Sequence, residues 1–214
     1  WDVFGGSQLS LIEFLRGNLA SALFHAEASG RLEAQTSTRG LGVGTLFRHL
    51  AYAGDRSGAL ALLAEKREWL PRSGEPNPLG AWPMLAFAIE GLAILGEHGQ
   101  AGDLYPLALE LVDTGTTMLW PIFRFTHTVA GIAAASARQW DAAEDHFQTA
   151  MRHAESFPHL LEQAEIRRFH AMMLMSRAAR GDREKARQLL GEARESYTRI
   201  GMRRHVEIVQ TLLG

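Results

Sequence analysis

The sequence predicts an all-α fold of stacked antiparallel helical hairpins, and three observations carry that prediction. A small residue, a large apolar one four positions on and usually another small one three beyond recur at Ala59/Leu63, Ala101/Tyr105/Ala108, Ala143/Phe147/Ala150 and Ala186/Leu190/Ala193. The leading alanines are 42, 42 and 43 residues apart. Each instance follows a breaker or polar turn: Gly54-Asp55, Gly96, Arg138-Gln139 and Gly181-Asp182. Apolar residues at i, i+3, i+4 and i+7 flank each breaker, and no alternating β-branched run suggests a strand. One such hairpin cannot bury its apolar face alone, so the units have to stack.

Taken in order, an opening helix runs from about residue 8 to 29, started by the capping-box pattern Ser10-Leu11-Ile12-Glu13 and closed by Gly30. Residues 31–39 read as a linker, completing an opening segment 1–39. Hairpins follow over 40–71, 78–115, 119–157 and 159–200, and residues 202–213 read as a capping helix, all in one repeat domain 1–214. Pro71 to Pro78 separates the first two hairpins, with Asn77 suited to an N-cap and Pro78 to a first helical position. Thr114-Gly115-Thr116-Thr117 and Phe157-Pro158 mark the next two junctions. In the second helix of the third hairpin, Ala143 and Ala150 let a partner helix approach while Phe147 fills the gap between hairpins. Glu144, Asp145, Gln148 and Arg152 make its solvated face.

Composition bounds the function. Hydrophobic residues make up 46% of the 214 and prolines number only 7, which is a folding rather than a disordered chain. There is no cysteine, so disulfides, thiolate zinc sites and cysteine nucleophiles are excluded. No apolar run approaches the ~20 residues that cross a bilayer, so no membrane partner is expected and a cytoplasmic location is. The sequence starts at Trp1 rather than Met, as expected of a processed chain or a piece of a longer protein. Residues 159–214 hold 11 Lys/Arg against 7 Asp/Glu, and residues 1–158 hold 11 against 17. Acids interleaved with bases in this way argue against direct nucleic-acid binding, which needs a dense basic stripe.

Gly131, twelve residues before Ala143, together with Ala143, Phe147 and Ala150, resembles the tetratricopeptide (TPR) repeat, whose helix pair carries glycine, alanine, an aromatic and alanine at set positions. The units are longer than the usual ~34 residues, so the similarity is to a long-helix branch. That branch looks like the carboxy-terminal regions of bacterial multidomain signalling ATPases, adenylate cyclase-linked regulators and transcriptional activators. The similarity covers roughly the last 90 residues, while the first 120 fit by period only. Phe47 and Ile89 stand where Gly131 does, and Lys66 where Ala108, Ala150 and Ala193 do. The resemblance implies a TPR-like α-solenoid with a regulatory or scaffolding role in bacterial signal transduction or transcription regulation, bound to a protein or to other domains of its own parent chain.

The motifs that would carry chemistry read more simply as structure. Gly40-Leu41-Gly42-Val43-Gly44-Thr45 lacks the Gly-Lys-Ser/Thr ending of a phosphate loop and fits a helix entry packed tightly on a neighbour. None of the nine histidines forms a His-x-x-x-His or His-Glu-x-x-His pair, so no metal or other cofactor is expected. No Gly-x-Ser-x-Gly elbow occurs, and no catalytic residue is assigned; the chain is not expected to be an enzyme. Met172-Met173-Leu174-Met175 could form an adaptable ligand surface, although methionines at helical spacing are more often core.

Aligning the units on their leading alanines gives first-helix columns Arg48/Glu90/Ile132/Met175, Gly40/Trp82/Arg124/Arg167 and Leu41/Pro83/Phe125/Arg168. In a repeat stack the first helices line the concave face. Arg48, Trp82, Glu90, Arg124, Phe125, Arg167 and Arg168 are therefore the candidate partner-binding residues, with basic character toward the carboxy end for a peptide or a small anionic ligand. The function expected is protein–protein interaction in that groove; the alternative is a sensor enclosing a small molecule inside the superhelix.

Overall fold

The computed structural model describes residues 2–33 and 36–214; Trp1 and the linker residues Ala34 and Gln35 lie outside the described residues. The chain is mostly helical, 76% of it. The helices are α1 (Asp2–Arg16), α2 (Leu19–Leu32), α3 (Leu41–Ala53), α4 (Arg56–Glu65), α5 (Ala81–Ile94), α6 (His98–Asp103), α7 (Tyr105–Asp113), α8 (Thr126–Ser136), α9 (Trp140–Ser156), α10 (Leu160–Arg177), α11 (Asp182–Ile200) and α12 (Arg203–Leu213). Among the described residues the strands are β1 (Met118–Leu119) and β2 (Arg124–Phe125), antiparallel, with Met118 opposite Phe125.

Every residue of the small/large/small pattern is buried, from Ala59 to Ala193. Alanine presents no side chain beyond Cβ, so neighbouring helices close on it, and Leu63, Tyr105, Phe147 and Leu190 fill the space that remains. Helices pack in chain order: α1 on α2, α2 on α3, α8 on α9, α9 on α10, α10 on α11 and α11 on α12. The leading helices of the predicted hairpins also touch one another, α3 on α5, α5 on α8 and α8 on α10. Turn chemistry sets the joints. Gly54 takes φ +79, which an L side chain resists, and its amide closes α3 onto Ala51. The next residue, Asp55, caps α4 by accepting from the Gly58 amide at 2.9 Å.

Several predicted boundaries move. The opening segment holds two helices, because the chain reverses at Gly17, φ +88, and α2 returns along α1. Ser10 is therefore no cap: it lies inside α1 and its Oγ donates to the Ala22 carbonyl across the pair at 2.7 Å. Gly30 lies within α2. Asn77 does not start a helix either; α5 begins at Ala81, and the Asn77 amide donates to the carbonyls of Arg72 and Glu75 and holds that turn. The second helix of the 78–115 unit breaks into α6 and α7 around Leu104, where Pro106 supplies no amide to continue the ladder. The 119–157 unit opens with the β1–β2 turn, and its first helix starts at Thr126. Residues 159–200 and 202–213 match α10–α11 and α12 closely.

Candidate functional site

Two features stand out: a buried charged network where the groove was expected, and an apolar crevice beside it.

The network is built on Arg124, carried by β2. Its guanidinium donates to Glu162 at 2.7 Å, Glu90 at 2.8 Å and Glu165 at 3.1 Å. Glu162 also accepts from the Phe125 amide and the Thr128 hydroxyl. Arg168 donates to Glu165 at 2.9 Å, to the Tyr52 hydroxyl at 2.6 Å and to the Tyr197 hydroxyl at 3.2 Å. Tyr52 in turn donates to Glu90, and Tyr197 to Glu165. One continuous set of bonds thus links α3, α5, β2, α10 and α11.

Burial governs the electrostatics. It would raise the Glu165 carboxyl, but Arg168 and Arg124 outweigh it and hold Glu165 well below the usual carboxylate range. Burial also works against the charges of Arg124 and Arg168, and the glutamates around them raise both well above the usual arginine value. Glu162 is pushed up to about 7, because burial exceeds the pull of Arg124. Burial lowers His205 to about 4 and puts the Tyr52 and Tyr197 hydroxyls well above 10. Arg48 differs from the other two arginines. Its guanidinium lies 4.5 Å from the ring centres of both Phe14 and Phe87, while its Nε and one Nη have no hydrogen-bond partner among the described residues.

This arrangement corrects the groove expectation. Arg48 is 4% exposed, Arg124 7% and Arg168 0%, and Glu90 and Phe125 are buried as well. Glu90, Arg124 and Arg168 are joined in the network, so they offer no basic surface to a partner. The cause is closure of the interior: α1 meets α12, Phe14 packs edge-on against His205, and Arg204 donates to the Tyr52 carbonyl at 3.5 Å. Arg167 lies apart, half-buried and paired with Glu192 at 2.8 Å. Trp82 is half-buried near the start of α5. Tyr52, Glu162, Glu165, Tyr197 and His205 were missed. One signal pointed inward: Glu90 is the sole charged residue of α5, and an ion in an apolar helix needs a partner.

The glycine-rich segment behaves as a tight helix entry. A Cβ at Gly42 would lie 2.8 Å from the Gly30 amide nitrogen, and one at Gly44 would lie 2.9 Å from the Met84 α-carbon. The amides of Gly42 and Val43 each donate to the Glu33 carboxylate at 2.7 Å, which leaves neither free for a phosphate. On the face of α9 expected to be solvated, Glu144 is half-buried and pairs with Lys185 at 3.0 Å and His170 at 3.1 Å. The histidines meet in one place, His127 Nδ1 lying 2.9 Å from His146 Nδ1. Among the described residues no group of three His, Asp or Glu has metal-binding geometry.

The crevice has a volume of about 340 Å³ and is bounded by α5, α8, α10 and α12, through Ile94, Ile132, Ala135, Met172, Met175 and Leu212. Ile132 and Met175 belong to the same predicted column as Arg48 and Glu90. That column therefore divides into a charged buried end and an apolar open end. All three methionines of the run line the crevice, Met173 from the core and Met172 and Met175 from more exposed positions. Among the described residues no helix is long and apolar enough to cross a membrane.

No family model matches the chain, and no curated protein or solved structure does either.

Proposed function

We propose that the chain is a TPR-like regulatory domain without catalytic chemistry, which responds to a small ligand taken into the crevice between α5, α8, α10 and α12. One observation carries this reading: Glu90, Arg124, Glu162, Glu165 and Arg168 of the inner face are paired with one another, while an apolar opening of ligand size remains beside them. Ligand pockets commonly measure ~300–1,000 Å³ and are mostly apolar with a few polar groups. The tetratricopeptide character rests on Gly131, Phe147 and the buried alanines, and on first helices that touch from unit to unit. Such a domain would serve a larger signalling or transcription-regulating protein. A thermal-shift screen of small metabolites tests the reading, since a ligand of the folded state raises stability by RT ln(1 + [L]/Kd). A protein stabilised by no small molecule would rule against it.

A protein-partner reading is favoured by a different surface. Trp120, 58% exposed, and Phe123 project from the β1–β2 turn, and Phe4 of α1 stacks on Trp120 at 4.9 Å. Exposed aromatics are the residues that anchor protein interfaces. Loss of a captured partner on Trp120→Ala, with ligand stabilisation unchanged, would favour this second reading.

A further inference from the structure

The apolar crevice lies beside a second, smaller hollow of about 160 Å³, and Met175 and Leu212 line both, so movement of these two side chains would join them. The smaller hollow is flanked by Arg183 and Arg187 of α11. These arginines are four residues apart on one helix, exposed, and among the described residues neither pairs with a carboxylate, although their neighbour Lys185 pairs with Glu144. Like charges at that spacing repel, so the pair is an electrostatic liability that a bound anion would relieve. One end of the combined space is thus apolar and pliable, with Met172 and Met175 able to adjust their shape, and the other end is cationic.

We propose that this combined space binds a medium-chain aliphatic carboxylate, its alkyl chain in the crevice between α5, α8, α10 and α12 and its carboxylate between Arg183 and Arg187. Arginine forks match a carboxylate in two-point geometry. An alkyl chain suits the crevice better than a peptide does. A peptide backbone brings amides and carbonyls that need partners along its whole length, whereas the polar side chains of the lining are Ser136, committed to the Ile132 carbonyl, and the exposed His98 and Ser176. The proposal rests on the ligand-domain reading above and gives it a ligand class.

The test is titration calorimetry of the full chain with octanoate, decanoate and dodecanoate below their micelle concentrations, with 1-decanol and with a short peptide ending in leucine. The expected result is saturable binding of the carboxylates, each added methylene lowering Kd by about fourfold until the chain fills the crevice. Decanol should bind at least about tenfold more weakly than decanoate, and Arg183→Ala with Arg187→Ala should bring decanoate to the level of decanol. Ser176→Phe, an exposed change at the crevice mouth, should abolish binding of both while leaving the fold intact by circular dichroism. Decanol binding as well as decanoate, with no effect of the arginine changes, overturns the ligand class and leaves the ligand-domain reading standing. Binding of the peptide but of no carboxylate also overturns it. Saturable binding by none of these probes counts against both.

Discussion

The ring of Phe147 lies directly on the bare α-carbon of Gly131: a Cβ at Gly131 would come within 2.8 to 3.1 Å of three of its ring atoms. Phe147 also stacks on His170, with ring centres 5.4 Å apart, which restricts its movement. Gly131→Ala should therefore destabilise the chain by about 1–3 kcal/mol, the usual cost of overpacking. Phe147→Ala should cost about 3–5 kcal/mol through the cavity it leaves. In the double variant the methyl at 131 no longer clashes, so the two costs should fail to add. Urea denaturation of all four proteins measures this, and strict additivity would show that the two residues are not in contact.

Arg124 and Arg168 hold the interior together. Removing one partner of a buried, hydrogen-bonded ion pair leaves the other charge stranded, at about 3–5 kcal/mol. Arg124→Ala should therefore lower the melting temperature sharply, and Arg124→Ala with Arg168→Ala should leave the chain largely unfolded at room temperature. Arg167→Ala, on the half-exposed pair with Glu192, should cost less than about 1 kcal/mol. Melting by circular dichroism distinguishes them. Near-equal melting temperatures for the Arg124 and Arg167 variants would contradict the network.

The helical pairs were legible because their signal is local. Ala143, Phe147 and Ala150 sit within two turns of one helix, so the 3.6-residue period exposes the buried face without any knowledge of the rest. The break at Gly17-Asn18 escaped because apolar periodicity continues across it, and the β1–β2 turn escaped because two-residue strands have no period to read. The interior network was hidden for another reason. A column of Arg48, Glu90, Arg124 and Arg168 is the same string of residue types whether it faces water or protein. What decides is the meeting of α1 and α12, a contact between residues far apart in the sequence, such as Phe14 and His205. The crevice was equally out of reach, since a void depends on which side chains fail to fill a space.

Glu33 gives the protein a pH dependence opposite in sign to the common carboxylate case. Burial raises it from 4.5 to about 7, against the pull of the Gly42 and Val43 amides. The folded chain thus holds this proton more tightly than the unfolded one, so its contribution is full below pH 4.5 and is lost as pH rises through about 7. Glu162, also at about 7, acts in the same direction. His205, lowered by burial to about 4, acts the other way and costs stability as pH falls from 6.5 through about 4. Stability should peak near pH 6 and decline toward pH 8. Glu33→Gln should flatten the alkaline side, the difference from wild type changing by about 3 kcal/mol between pH 5 and 9. Parallel pH profiles for the two proteins would exclude this role for Glu33.

Arg48 should behave as the reverse of Arg124. Both are buried arginines on the inner face, but Arg124 has three carboxylates and Arg48 has two phenyl rings and unpartnered nitrogens. Burial accordingly lowers the Arg48 pKa, opposed mainly by Glu90, whereas that of Arg124 rises. Methionine keeps most of the length, fills the space between Phe14 and Phe87 and carries no polar atom to desolvate. Replacing a poorly compensated buried charge by an apolar side chain is often neutral or stabilising by about 1–4 kcal/mol. Arg48→Met is thus expected to hold or raise stability, whereas Arg124→Met lowers it. A secondary effect follows from charge balance. Arg48, Arg124 and Arg168 face Glu90, Glu162 and Glu165, so losing Arg48 leaves one uncompensated negative charge, which Glu162 can neutralise by taking a proton at about pH 7. The advantage of Arg48→Met should consequently be larger at pH 6 than at pH 8. Urea denaturation of both methionine variants at the two pH values checks the argument. A loss of several kcal/mol from Arg48→Met at pH 6 would show that the guanidinium has a partner inside the fold and that its sandwich between two rings is not the whole of its environment.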